Sequence, residues 1–119
     1  PGIQYQLPLL LDAANQGLTT LEKAVAMACT KPAEIFGLGN KGRLAPGCDA
    51  DIVVADLAAS WEITDEGVLS RCGWTPYAGR KCTAQVVRTM VRGVDVWNDG
   101  EVTGQPGFGI HATPTKAGS

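Results

Sequence analysis

Lys41-Gly42-Arg43-Leu44-Ala45-Pro46-Gly47-Cys48-Asp49-Ala50-Asp51-Ile52-Val53-Val54-Ala55-Asp56 is the stretch where the chain changes its period. Before it, apolar residues recur at helical spacing. After it they come in short β-branched runs. Pro46-Gly47 is a turn signal. Ile52 to Ala55, flanked by carboxylates, reads as a short strand buried on both faces. Asp49, Asp51 and Asp56 form an oxygen-rich group of the kind that suits a hard cation. Asp49 and Asp51 bracket a single alanine beside Gly47, however, and that context favours turn chemistry, in which Asp side chains accept from nearby backbone N–H groups.

Upstream, Ile3, Leu7, Leu10, Leu11 and Ala14 follow the spacing of one buried helix face. Pro8 fits if it lies in the first turn, and Gly17 supplies a left-handed helix stop. Thr19 with Glu22 three residues on predicts a capping box for a second helix, whose inner face is Leu21, Ala24, Val25, Ala28 and Cys29. Pro32 predicts the start of a third, short helix through Phe36, closed by Gly37 and Gly39. Downstream, Trp61 to Ile63 and residues 85–91 read as strands. Arg92-Gly93 turns the chain, Val94 to Trp97 returns it, and Asn98-Asp99-Gly100 turns it again before Glu101-Val102. From Pro106 onward the composition is tail-like. Helices followed by strands predict an α+β arrangement.

Composition narrows the function. The 119 residues carry 45% hydrophobic and 18% charged side chains, a globular balance. Residues 1–59 hold four basic and six acidic groups, and residues 60–119 six of each, so no basic stripe exists for nucleic acid. No apolar run reaches the length of a membrane span. Cys29, Cys48, Cys72 and Cys82 contain no Cys-x-x-Cys pair, and the one histidine, His111, lies in the tail. Cys29 reads as a small core residue, and four reduced thiols fit a cytoplasmic setting.

The remaining polar groups do not assemble into catalysis. Glu62, Asp65 and Glu66 read as a solvated loop. Ser60 and Ser70 lack a histidine at plausible spacing. Gly37, Gly39 and Gly42 follow a helix instead of joining a strand to one, which is the reverse of a phosphate loop. Arg71-Cys72-Gly73-Trp74-Thr75-Pro76-Tyr77-Ala78-Gly79-Arg80 is an ordered aromatic loop. It either lays Trp74 and Tyr77 on a neighbouring surface or serves as a docking loop between domains or subunits. The start at Pro1-Gly2-Ile3, running at once into a helical pattern, reads as a cut through a larger protein.

Several of these segments together resemble the end of the cyclic amidohydrolases, the family of dihydroorotase, allantoinase and dihydropyrimidinase. Pro1-Gly2-Ile3-Gln4 leading to Leu7-Pro8-Leu9-Leu10-Leu11 resembles the loop and helix after the last barrel strand. Thr30-Lys31-Pro32-Ala33 with Phe36-Gly37-Leu38 resembles the helix leaving the barrel. Lys41 to Gly47 with Asp49-Ala50-Asp51-Ile52-Val53 is similar to the re-entry into the small β-domain. Cys72 to Tyr77 with Gly79, followed by Val91-Arg92-Gly93, is most similar to dihydroorotases.

The resemblance implies an α+β fragment: C-terminal helices of a (β/α)8 barrel over residues 1–40, strands of a small composite β-sandwich over 41–105, and a tail over 106–119. It implies a parent that interconverts N-carbamoyl-aspartate and dihydroorotate in pyrimidine biosynthesis, with two zinc ions bridging a hydroxide. The family's ligands are a His-x-His pair, a carboxylated lysine, two further histidines and an aspartate, all upstream of this segment. No catalytic residue, metal ligand or cofactor therefore falls on this chain, which is expected to be inactive alone. Pro1 and Gly2 are the candidates for lining the substrate pocket of the parent. The expected partners are the missing N-terminal barrel portion, a second copy through self-association, and dihydroorotate or a related cyclic amide. An allantoinase or dihydropyrimidinase parent, or a non-catalytic scaffold of the same fold, are the alternative readings.

Overall fold

The computed structural model describes residues 2–115. Helices come first and strands second, as the period change at residue 42 predicts. In order, the elements are α1 (Gln6–Asn15), α2 (Leu21–Val25), α3 (Lys31–Ile35), β1 (Ile52–Asp56), β2 (Trp61–Glu62), β3 (Lys81–Cys82), β4 (Gln85–Val91), β5 (Val94–Asn98) and β6 (Glu101–Val102). The fold is small and α+β.

Helix α1 follows a single 3-10 turn, Ile3–Tyr5. Pro8 is its third residue, in the first turn, where a backbone donor would have no partner. Gly17 ends the helix at φ 76°. The N–H of Gly17 donates to Ala14 O and that of Leu18 to Ala13 O, both at 3.0 Å, which is a Schellman motif. Gly37 repeats the motif after α3, its N–H bonding Glu34 O and that of Leu38 bonding Ala33 O.

Two helix expectations are corrected. Thr20, not Thr19, caps α2: its hydroxyl accepts from the Lys23 N–H at 3.2 Å, so the helix begins one residue later. Pro32 does not open a separate helix either. α2 and α3 are joined by a wide π turn, Ala26–Thr30, in which the Lys31 N–H reaches back to Ala26 O. Proline removes one backbone bond and its ring crowds the carbonyl four residues earlier, and widening the preceding turn relieves both.

Strands β1-β4-β5-β6 form one sheet in that order, and β2-β3 form a second. β4 and β5 are antiparallel around Arg92-Gly93, at φ 49° and 77°, the two positive angles of a type I′ turn. Asp99-Gly100, at φ 47° and 91°, turns β5 into β6 in the same way. Between Thr89 and Met90 the register shifts, leaving Val96 as an extra residue on β5.

The described chain forms two compact units. Unit 1 comprises Pro1–Ala24 with Ala55–Val86, and unit 2 comprises Val25–Val54 with Val87–Ser119. Each unit combines residues from before and after the period change. In unit 1, Tyr5, Ile63 and Cys82 are buried together, with Leu9, Trp61, Val68 and Tyr77 packed around them.

The expected buried faces are only partly buried. On α1, Leu11 is buried and Leu7, Leu10 and Ala14 are half-buried, but Ile3 is 91% exposed because it falls in the 3-10 turn. On the second helix only Ala24 is buried, and Leu21, Val25, Ala28 and Cys29 are exposed. β1 is not buried on either face: Val53 and Val54 are 44% and 43% exposed, on the outer strand of its sheet.

Candidate functional site

Unit 1 builds a scaffold for the segment that leads into α1. Gln4 acts as a two-pronged clamp. Its Nε2 donates to Gly67 O at 2.8 Å and its Oε1 accepts from the Leu69 N–H at 2.9 Å. Tyr5 is buried beside Trp61, ring centres 6.3 Å apart. Burial first, and the charge of Asp65 second, raise the Tyr5 phenol above its ordinary range. Gly2 lies against the aromatic loop, since a Cβ placed there would come 3.9 Å from Tyr77 Cε2. Of the two residues named as pocket-lining, Gly2 is therefore placed beside Tyr77, and Pro1 lies outside the described residues.

The aromatic loop divides its two rings. Tyr77 packs on the core of unit 1, while Trp74 is 52% exposed. Asp65 fixes the loop by accepting from the Thr75 N–H at 2.8 Å. Asp65 thus has a positioning role, whereas Glu62 and Glu66 are exposed.

The most distinctive polar group in the unit is Asp12, which is 0% exposed. Its Oδ1 accepts from the Thr83 N–H and from the Thr83 hydroxyl, each at 2.9 Å. Its Oδ2 accepts from Gln16 Nε2 at 2.6 Å and faces Arg80 Nη2 at 3.5 Å. Burial alone would raise this carboxyl. The donors from Thr83, joined by Arg80, outweigh it and hold Asp12 below the usual carboxylate range. The neighbouring Cys82 thiol is pushed up, first by burial and then by the Asp12 charge. Asn15, one turn further on, bonds Leu57 O and Thr83. This cluster ties α1 to β3 and carries no nucleophile or base open to a substrate.

Sequence reasoning passed over Asp12. Its signal was available: a single carboxylate directly after Leu9-Leu10-Leu11 and before Ala13-Ala14, within an otherwise apolar stretch. Arg80 and Thr83, 68 and 71 residues away, gave no such signal.

In unit 2 the aspartates of the opening stretch are drawn into a network. Lys41 pairs with Asp49 at 2.7 Å and also with Asp51. Asp51 Oδ1 accepts from the Arg92 N–H at 2.9 Å, and Asp49 accepts from Asn40 Nδ2. The two bonds to Asp49 and Asp51 raise Lys41. Burial would raise Asp51, but Lys41 and the Arg92 N–H prevail and lower it. Asp56, which belongs to unit 1, accepts from the Ala58 N–H in a local turn. Asp49 closes the loop on itself through Asn40 and Lys41, and Asp51 anchors the loop to the β4–β5 turn.

Among the described residues no group of three or more His, Cys, Asp or Glu side chains could hold a metal ion. His111 is exposed. All four cysteines are free thiols. No helix among the described residues is long and apolar enough to cross a membrane.

A family model described as "Amidohydrolase family" matches residues 3–96. The dihydroorotase of Pyrococcus furiosus is 40% identical over 106 residues, covering 89% of this chain and 25% of the relative. The L-hydantoinase of Paenarthrobacter aurescens is 37% identical over 114 residues, covering 94% of the chain and 25% of the relative. Among solved structures, the L-hydantoinase (dihydropyrimidinase) of Arthrobacter aurescens superposes with a TM-score of 0.86 at 38% identity. That match covers 90% of this chain and 24% of the other. The chain thus spans about a quarter of the length of the relatives it matches.

Proposed function

Since the chain belongs to the amidohydrolase family, we propose that it is a C-terminal portion of a dihydroorotase. The parent would interconvert N-carbamoyl-aspartate and dihydroorotate in the cytoplasm, with its zinc ligands on the upstream barrel. In that reading residues 1–40 end the barrel, residues 41–105 belong to the small β-domain, and residues 106–119 form the tail. The observation that carries it is the dihydroorotase likeness, which runs through nearly the whole chain.

The chain's own contribution is structural. Gln4 and Tyr5 hold the chain at Gly2, and we assign Pro1 and Gly2 to the substrate pocket of the parent. Asp12 locks α1 onto β3 beneath it. No step of the hydrolysis is assigned to a residue of this chain, and alone it is expected to be inactive. Its exposed apolar residues are covered by the upstream barrel portion in the parent and by a second copy when the chain stands alone.

The likeness to an L-hydantoinase structure favours a second reading, a hydantoinase or dihydropyrimidinase parent. Reciprocal chimeras separate the two. The chain is joined behind the part of the Pyrococcus furiosus dihydroorotase that precedes its match, and likewise behind that of the L-hydantoinase. The dihydroorotase chimera is expected to turn over dihydroorotate, and the hydantoinase chimera to be impaired on hydantoins. The opposite pattern supports the second reading.

A further inference from the structure

The tail of unit 2 is fixed at two separated points. After β6, a turn at Gln105–Phe108 brings Phe108 under the β4–β5 turn. Arg92 Nη2 donates to Phe108 O at 2.6 Å, and its guanidinium carbon stands 4.3 Å from the centre of the Phe108 ring. Arg92 is itself held through its backbone by Asp51. Further along, Thr115 reaches the C-terminal end of α3. Its N–H donates to Gly37 O at 2.9 Å, its hydroxyl donates to the same oxygen at 3.0 Å, and that hydroxyl accepts from the Gly39 N–H at 3.1 Å.

The glycines at this second point have different reasons to be there. Gly37 has φ 66° and is needed to end the helix. Gly39 has no positive φ to require it. A Cβ at position 39 would stand 2.7 Å from Thr115 Oγ1, closer than real Cβ contacts come. The space a side chain would fill is occupied by the Thr115 side chain of the docked tail, which would have to shift to admit one.

We propose that residues 106–115 are a two-point strap fastening the end of α3 to the β4–β5 turn, with Arg92 and Gly39 as its attachment points. Two weak contacts on one short connector reinforce each other, because holding one raises the local concentration of the other. The strap thereby ties a helix end to a sheet within a unit where Ala33 is the one buried hydrophobic side chain among the described residues.

Amide exchange followed by NMR on the whole chain tests this, read at the Gly39 N–H, whose partner is the Thr115 hydroxyl. Thr115→Val should speed exchange at Gly39 by about tenfold, while Thr115→Ser should restore it. Arg92→Ala, acting at the far point, should speed the same amide by about threefold through loss of the shared connector. An amide at Gly39 that ignores Thr115→Val would overturn the docking. One that responds to Thr115→Val but ignores Arg92→Ala would overturn the strap and leave two unrelated contacts.

Discussion

Units 1 and 2 are built from similar amounts of chain but are held together differently. Among the described residues, the hydrophobic side chains buried in unit 1 are Tyr5, Leu11, Ala24, Ile63, Cys82 and Ala84. Ala33 is their one counterpart in unit 2 among the described residues. Unit 2 relies on polar connections instead. These are Lys41 with Asp49 and Asp51, Arg88 with Asp95, and Arg92 with Phe108. Exposed or half-exposed ion pairs contribute little each, typically under about 1 kcal/mol, whereas a buried aliphatic side chain contributes about 1.5–3 kcal/mol. Several apolar side chains of unit 2, among them Val25, Ile35, Phe36, Val53 and Val54, are exposed, and Ile52, Val87, Met90, Val91 and Trp97 are half-buried. Unit 1 therefore has a core of its own, whereas much of the apolar surface of unit 2 is exposed.

Substitutions can break this contrast. Ile63→Ala removes a fully buried side chain and should lower stability by about 3 kcal/mol in denaturant unfolding. The matching change in unit 2, Val54→Ala, should cost under about 0.5 kcal/mol in the isolated chain, as expected of a surface position. Equal losses at the two sites would erase the distinction.

Asp12→Ala should cost about 2–3 kcal/mol, since it removes a fully buried carboxylate and leaves the Thr83 N–H and Gln16 amide without their acceptor. Acid sharpens the same point. The folded-state carboxyl of Asp12 titrates below its unfolded value. Its contribution is thus complete above the ordinary carboxylate pKa of about 3.9 and is lost as pH falls through the lower folded value. The unfolding midpoint of the unchanged chain should fall with acid in that window, and Asp12→Asn should flatten the dependence. The smallest effect concerns the helix joining the units: Thr20→Ala should cost about 1 kcal/mol and Thr19→Ala a few tenths at most.

The residues that sequence reasoning read well are those whose information is local. The turns at Arg92-Gly93 and Asp99-Gly100 and the helix ends at Gly17 and Gly37 depend on backbone angles that glycine supplies. The strand at 85–91 is written in its run of β-branched residues, Val86, Val87, Thr89 and Val91. The cap at Thr19 failed by one residue because two adjacent threonines offer the same chemistry, and only the geometry selects Thr20. The break at Pro32 failed because a wide turn can absorb a proline. Burial was least legible. β1 and the face of the second helix carry the pattern of covered elements, but what would cover them is not a property of Ile52–Asp56 or Leu21–Val25 themselves. Asp12, Arg80 and Thr83 meet only through the fold, so spacing along the chain could not join them.

Unit 1 buries a core of its own, whereas the exposed faces of unit 2 are, under the proposed function, covered by the upstream part of an amidohydrolase. Amide exchange compares the isolated chain with the dihydroorotase chimera most directly. The amides of Ile63 and Cys82 should be equally protected in both, and those of Val53 and Val54 should gain about tenfold or more in the chimera. Val53 and Val54 protected in the isolated chain as strongly as in the chimera would contradict the account.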